Sequence, residues 1–169
     1  EVCGVTTEDT IESMTLPEFE GKDYDLIIYP CYGATTIVIG DSKKEILHYY
    51  LENGGRILVD GEGYAVINLP QIGNFESAPI NEDSPFTGYR TESFPELLTN
   101  MDITLTPTHY IPVEEYWWIT PILVAEYFDG SEYVVIGVTQ VGDGFIVFST
   151  LPIMRGGYND YVKNQYSSS

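Results

Sequence analysis

The feature that most constrains this chain is an unbroken strand, helix, strand run in its first third. Tyr24-Asp-Leu-Ile-Ile-Tyr-Pro-Cys-Tyr-Gly33 is followed by Ser42-Lys-Lys-Glu-Ile-Leu-His-Tyr-Tyr-Leu-Glu-Asn-Gly-Gly55 and then by Arg56-Ile-Leu-Val-Asp-Gly-Glu-Gly63. Two strands separated by a helix are parallel neighbours joined by a right-handed crossover. Leu26 to Tyr29 and Ile57 to Val59 are continuously apolar rather than alternating, the pattern of strands covered by helices on both faces. The helix carries its own punctuation. Ser42 and Glu45 are spaced as a capping box, Ile46, Leu47, Tyr50 and Leu51 share one face, and Asn53-Gly54-Gly55 ends it, which predicts a helix from about Lys43 to Glu52.

The last third changes character. Ile122 to Phe128, Tyr133 to Thr139 and Phe145 to Ser149 are β-rich runs separated by Asp129-Gly130 and by Gly142-Asp143-Gly144, both hairpin signals. They predict an antiparallel meander attached to the parallel sheet, with Val124, Val134, Ile136, Ile146 and Phe148 facing the common core. Residues 64–121 hold seven of the ten prolines and little periodicity. Short helices are expected near Tyr64 to Ile72 and Phe94 to Leu98, and a closing helix over Tyr158 to Tyr166. The whole is read as one α/β domain over residues 1–166 with a serine tail at 167–169.

Charge removes several function classes. The 169 residues include 26 acids and 7 bases, a formal net charge of −19, which repels nucleic acid and anionic membrane surfaces. No apolar run reaches the ~18 residues of a membrane span, and no charged-then-apolar leader opens the chain, so no membrane insertion is expected. The hydrophobic share of 43% excludes a disordered chain. Four lysines and three arginines beside 14 tyrosines and Ser167-Ser-Ser169 resemble exported proteins, giving an extracellular or cell-surface expectation. Cys3 and Cys31 are read either as one disulfide or as two buried thiols. No Asn-X-Ser/Thr acceptor is present.

These motifs together, from the strand at Asp25 to Pro30 through the capped helix, GGRILVDGEG at 54–63, NEDSPFTGY at 81–89 and the meander at 121–152, resemble the class I glutamine amidotransferase-like superfamily. Within it the likeness is to non-catalytic members, such as the trimerisation domain of certain bacterial β-galactosidases and domains of large surface proteins. The resemblance implies a flavodoxin-like fold, a three-layer parallel sheet extended by the C-terminal meander. Catalytic members carry a Cys at the strand-to-helix elbow, but the matching turn here is Asp60-Gly-Glu-Gly-Tyr64, with Glu62 close to the nucleophile position. In the family a strand and helix also precede the strand that Val2 to Val5 matches. Either that first strand and helix are lacking, in which case a partner segment or self-association fills the gap, or Val2 to Val5 is itself the first strand of an abbreviated fold.

Catalytic candidates are correspondingly thin. Cys31 after its strand, with His48 or His109 as base, or Glu62 as a carboxylate, would suit a hydrolase; His48 more often sits on the surface, and Glu62 has no base in view. The acids are scattered and two histidines form no ligand pair, so no metal and no cofactor is expected. The binding candidate is Tyr110-Ile-Pro-Val-Glu-Glu-Tyr-Trp-Trp-Ile-Thr-Pro121, with Tyr110, Glu114, Glu115, Tyr116, Trp117 and Trp118 as its residues. Adjacent tryptophans cannot both face one core, so one of them lies at the surface or under a loop. An exposed Trp beside carboxylates suits a protein interface or a sugar ring. The function expected is a non-catalytic structural or assembly module, with a carbohydrate-binding module and a Cys- or carboxylate-dependent hydrolase as alternatives.

Overall fold

A computed structural model describes residues 14–30, 36–38, 44–61, 64–69, 72–95 and 105–151. A short helix α1 (Leu16–Glu20) opens them, closed by a capping box in which the Thr15 N–H and hydroxyl both bond the Glu18 carboxylate at 2.8 Å. Strand β1 (Ile27–Pro30), β2 (Thr36–Val38), helix α2 (Lys44–Glu52) and β3 (Arg56–Asp60) follow. As the periodicity predicts, β1 and β3 are parallel neighbours, in register from Ile27 opposite Ile57 to Pro30 opposite Asp60. Helix α2 buries Ile46, Leu47, Tyr50 and Leu51 and is stopped where Gly54, at φ 84°, takes a left-handed conformation that a side chain would resist.

The meander is also present: β9 (Thr120–Tyr127), β10 (Glu132–Val141) and β11 (Gly144–Ser149). Strand β11 pairs antiparallel with β10 and parallel with β3, so hairpin and parallel pair form one sheet. With β7 (Phe86–Arg90) on the far edge, its order is β1-β3-β11-β10-β9-β7. The β9–β10 turn is held by Asp129, whose carboxylate accepts from the Ser131 N–H at 2.9 Å and from the Ser131 hydroxyl, bonds that keep its pKa below the ordinary value.

The three-layer flavodoxin-like expectation is not met. Among the described residues the chain is mostly β, with a mixed six-stranded sheet and only two helices, of five and nine residues. One face of β1, β3 and β11 is covered, by α2, by Phe19 of α1 and by a second, three-stranded sheet of β2, β4 (Tyr64–Leu69) and β5 (Ile72–Glu76). The helix expected at Tyr64 to Ile72 is therefore a β-hairpin. Residues 64–69 pair with β5 across the hairpin and with the distant β2 on the other side, and this pairing overrides the weak local signal. The expected helix at Phe94 to Leu98 falls mostly, and that at Tyr158 to Tyr166 wholly, outside the described residues, as do Val2 to Val5, Cys3, Cys31 and the serine tail.

Two apolar cores lie on this frame. The first gathers Ile27, Tyr29, Ile57, Val59, Ile146 and Phe148 of the sheet with α1, α2, Ile72, Phe75, Ile111 and Ile119. The second gathers Leu123, Ala125, Tyr127, Val135, Ile136 and Leu151. Of the five meander residues expected inside, Ile136, Ile146 and Phe148 are buried, and Val124 and Val134 are half-buried. The register shift in β10 between Val134 and Ile136 breaks the two-residue alternation there, so adjacent Val135 and Ile136 both turn inward.

Candidate functional site

The aromatic segment 110–119 leaves the two-residue strand β8 (His109–Tyr110), which pairs with β6 (Ala78–Pro79), and makes a tight turn before β9. Both ends of the turn are anchored. Ile111 is buried and its N–H donates to the Val134 carbonyl at 2.7 Å; Ile119 is buried and its N–H donates to the Tyr116 carbonyl at 2.8 Å. Inside it, the Pro112 carbonyl accepts from the N–H groups of Glu115 at 2.9 Å and Tyr116 at 3.3 Å. Gly137 of β10 lets the turn press onto the sheet, because a Cβ there would collide with the Ile119 side chain and lie 3.3 Å from the Thr120 carbonyl.

The two adjacent tryptophans separate as the sequence requires. Trp118 packs inward, its ring 5.5 Å from Phe148 and 5.6 Å from Tyr116, and its carbonyl accepts a hydrogen bond from the Thr139 hydroxyl. Tyr116 stands on Phe75 at 5.6 Å, and its hydroxyl accepts the Glu76 N–H at 3.0 Å. Trp117 points out and is 84% exposed, with exposed Glu114 and Glu115 preceding it in the same turn. An indole this exposed is held by a frame whose every other aromatic ring is packed.

The expected binding set therefore divides. Trp117, Glu114 and Glu115 face solvent, whereas Tyr116 and Trp118 are the support beneath them. Tyr110 belongs elsewhere: its ring lies 5.1 Å from Tyr133, in a second aromatic group with Tyr127, Phe86 and Tyr89. In that group the Tyr133 hydroxyl donates to the Glu82 carboxylate, which pushes its pKa up to about 12, with burial and the Glu82 charge acting in the same direction. Burial likewise raises the Tyr89 phenol, whose hydroxyl donates to the Leu105 carbonyl.

The catalytic candidates Cys31 and Glu62 lie outside the described residues. His48 is on the exposed side of α2, with Nε2 3.6 Å from Glu52 Oε1, and His109 is half-buried in β8 with Nδ1 3.2 Å from the Thr108 hydroxyl. Among the described residues no group of three or more His, Cys, Asp or Glu side chains is gathered that could hold a metal ion, and no helix is long and apolar enough to cross a membrane.

Two features escaped the reading of the sequence. Phe128, 80% exposed beside the β9–β10 turn, is signalled only by its place before Asp129-Gly130. At the carboxyl ends of β3 and β11, Asp60, Ser149 and Thr150 are buried side by side; the Gly61 N–H donates to the Ser149 carbonyl at 2.8 Å, and the Thr150 hydroxyl to the His109 carbonyl at 2.8 Å. These bonds tie the elbow after β3 to the strand that carries the aromatic turn. Neither a scan against protein-family models nor a search of curated proteins returned a match to this chain.

Proposed function

We propose that this domain is a non-catalytic assembly module of an exported or cell-surface protein, and that Trp117 with Glu114 and Glu115 is its contact site for a basic protein surface. The observation that carries this reading is the 84% exposure of Trp117 on a turn whose two ends and two neighbouring rings are fixed. A pre-positioned indole loses little conformational entropy on contact and supplies a large apolar area, as anchors of interfaces do. Carboxylates next to it, on a chain of net charge −19, select a partner bearing Arg or Lys, whose cation can sit over the indole face while its charge pairs with the acids.

The test uses a short arginine-rich peptide as probe, titrated against the intact chain and Trp117→Ala with indole fluorescence and calorimetry as readouts. A cation–π contact of about 1–2 kcal/mol predicts that Trp117→Ala weakens binding roughly 5- to 30-fold, and Glu114→Gln with Glu115→Gln should flatten the salt dependence. Equal binding by Trp117→Ala means the peptide is held by net charge alone, and the reading falls. Selective glycan binding that is lost in Trp117→Ala and indifferent to salt would transfer the same site to the carbohydrate-binding alternative, which the exposed indole also suits.

A further inference from the structure

Strand β5 is the outer strand of the three-stranded sheet, and no described strand pairs with it on its far side. The Glu76 N–H donates to the Tyr116 hydroxyl at 3.0 Å and so points away from β4, although Glu76 stands opposite Tyr64 of that strand. Backbone groups of an antiparallel strand alternate in direction with a period of two residues. The N–H and C=O of Asn74, which stands opposite Val66, therefore also point outward, whereas those of Phe75 turn to Ala65. Among the described residues no backbone group bonds Asn74 on that side, and Gly73, Asn74 and Glu76 are exposed. We propose that this edge accepts an extended, arginine- or lysine-bearing segment of a protein partner as an added strand, and that a basic side chain of that segment is the group held by Trp117, Glu114 and Glu115.

Edge strands are ordinarily blunted by lysine, proline or a covering loop. The sequence of β5, Ile72-Gly-Asn-Phe-Glu76, contains neither lysine nor proline. Asn74 offers a donor and an acceptor side by side, which an antiparallel segment satisfies with the acceptor and donor of one residue of its own. This is how extended peptides join the edge of a sheet. Tyr116 closes the edge at Glu76: its ring lies 5.6 Å from Phe75, and its hydroxyl fills the outward position there. The added strand ends against this ring. Trp117 is the next residue of the turn, one Cα step of about 3.8 Å from Tyr116, so a side chain at the end of that strand meets the exposed indole and its carboxylates.

Charge selects a basic segment over a second copy of this chain. Residues 72–76 and 110–119 hold Glu76, Glu114 and Glu115 and no Lys or Arg. Pairing two β5 edges would set these acids against their own copies, on chains of net charge −19. An arginine of a basic segment instead stacks on the Trp117 face beside the acids. The strand pairing rests on Trp117 being the contact residue, as proposed above, and makes the partner an extended segment rather than a folded surface.

The probe is a short peptide of alternating arginine and valine, titrated against the full chain by calorimetry, with hydrogen exchange read at the Asn74 amide. Two N-methylated versions carry their methyl groups on one or the other set of alternate residues, so that charge is unchanged and only one edge of the peptide loses its donors. One version should bind about 10-fold or more weakly than the other, because only one edge faces β5. The Asn74 amide should exchange more slowly in the complex. Equal affinity of the two versions, or unchanged exchange at Asn74, overturns the added strand; if Trp117→Ala still weakens binding, the contact at Trp117 survives that result. Binding that Trp117→Ala leaves unchanged removes the contact reading, and the added strand with it. Protection of Asn74 that grows with protein concentration in the absence of peptide would make a second copy the occupant and also overturn the proposal.

Discussion

Phe148 is where the sheet, the second sheet and the aromatic turn meet, and truncating it tests whether the Trp117 site is held from beneath. The side chain has no exposure; its ring lies 4.8 Å from Phe75 of β5 and 5.5 Å from Trp118. Phe→Ala in a core costs about 3–5 kcal/mol from lost transfer and the cavity left behind. Two ring pairs, each adding about 0.5–1.5 kcal/mol beyond buried area, place Phe148→Ala in the upper part of that range. With a total stability of order 5–15 kcal/mol, a loss of about 4–5 kcal/mol should move the urea midpoint down by roughly 2 M for a slope near 2 kcal/mol/M. The assay is urea unfolding followed by far-ultraviolet circular dichroism and by tryptophan fluorescence, with Trp117→Ala as the surface control, expected within about 0.5 kcal/mol of the parent. Loss of the ring that Trp118 touches should also shift the native emission spectrum, and binding at Trp117 should weaken although Phe148 is remote from solvent. A loss below about 1 kcal/mol with an unchanged spectrum would refute the reasoning, because Phe148 would then not be the wedge under the turn.

Two further predictions concern the same frame and its aromatic neighbour. Gly137→Ala sets a methyl group against Ile119 and should cost about 1–3 kcal/mol as overpacking; a thermal midpoint that does not move would show that the turn does not press on β10. Tyr133 has a folded pKa of about 12, above the ordinary phenol value of 10.0, so its contribution to stability is fully present below pH 10 and is lost as pH rises through 12. Phenolate absorbance should show that step, and the thermal midpoint should fall across the same window, less steeply in Glu82→Gln; a Tyr133 that ionises near 10 in the folded chain would contradict the Glu82 bond.

Local pattern carried much of the fold. The spacing of Ile46, Leu47, Tyr50 and Leu51 determines α2, because a helical face is set by residues three and four apart, and the Asp129-Gly130 and Gly142-Asp143-Gly144 turns determine the meander, because their chemistry is contained in a few residues. The sequence also required that Trp117 and Trp118 part. What it could not contain is which surface meets which. Tyr64 to Leu69 became a strand because it lies between β5, the other arm of its hairpin, and β2, a partner distant in the chain. The register shift near Val135 exchanged inward and outward positions in β10, an event decided by pairing with β9 and not by the residues' own preference. The continuous apolar runs of β1 and β3 promise two buried faces, yet tertiary structure covers one with α2 and leaves the other open among the described residues. Trp117 rather than Trp118 faces water for the same kind of reason: Phe148 and Tyr116 offer Trp118 an apolar seat, and only the folded arrangement of strands far apart in sequence brings that seat into being.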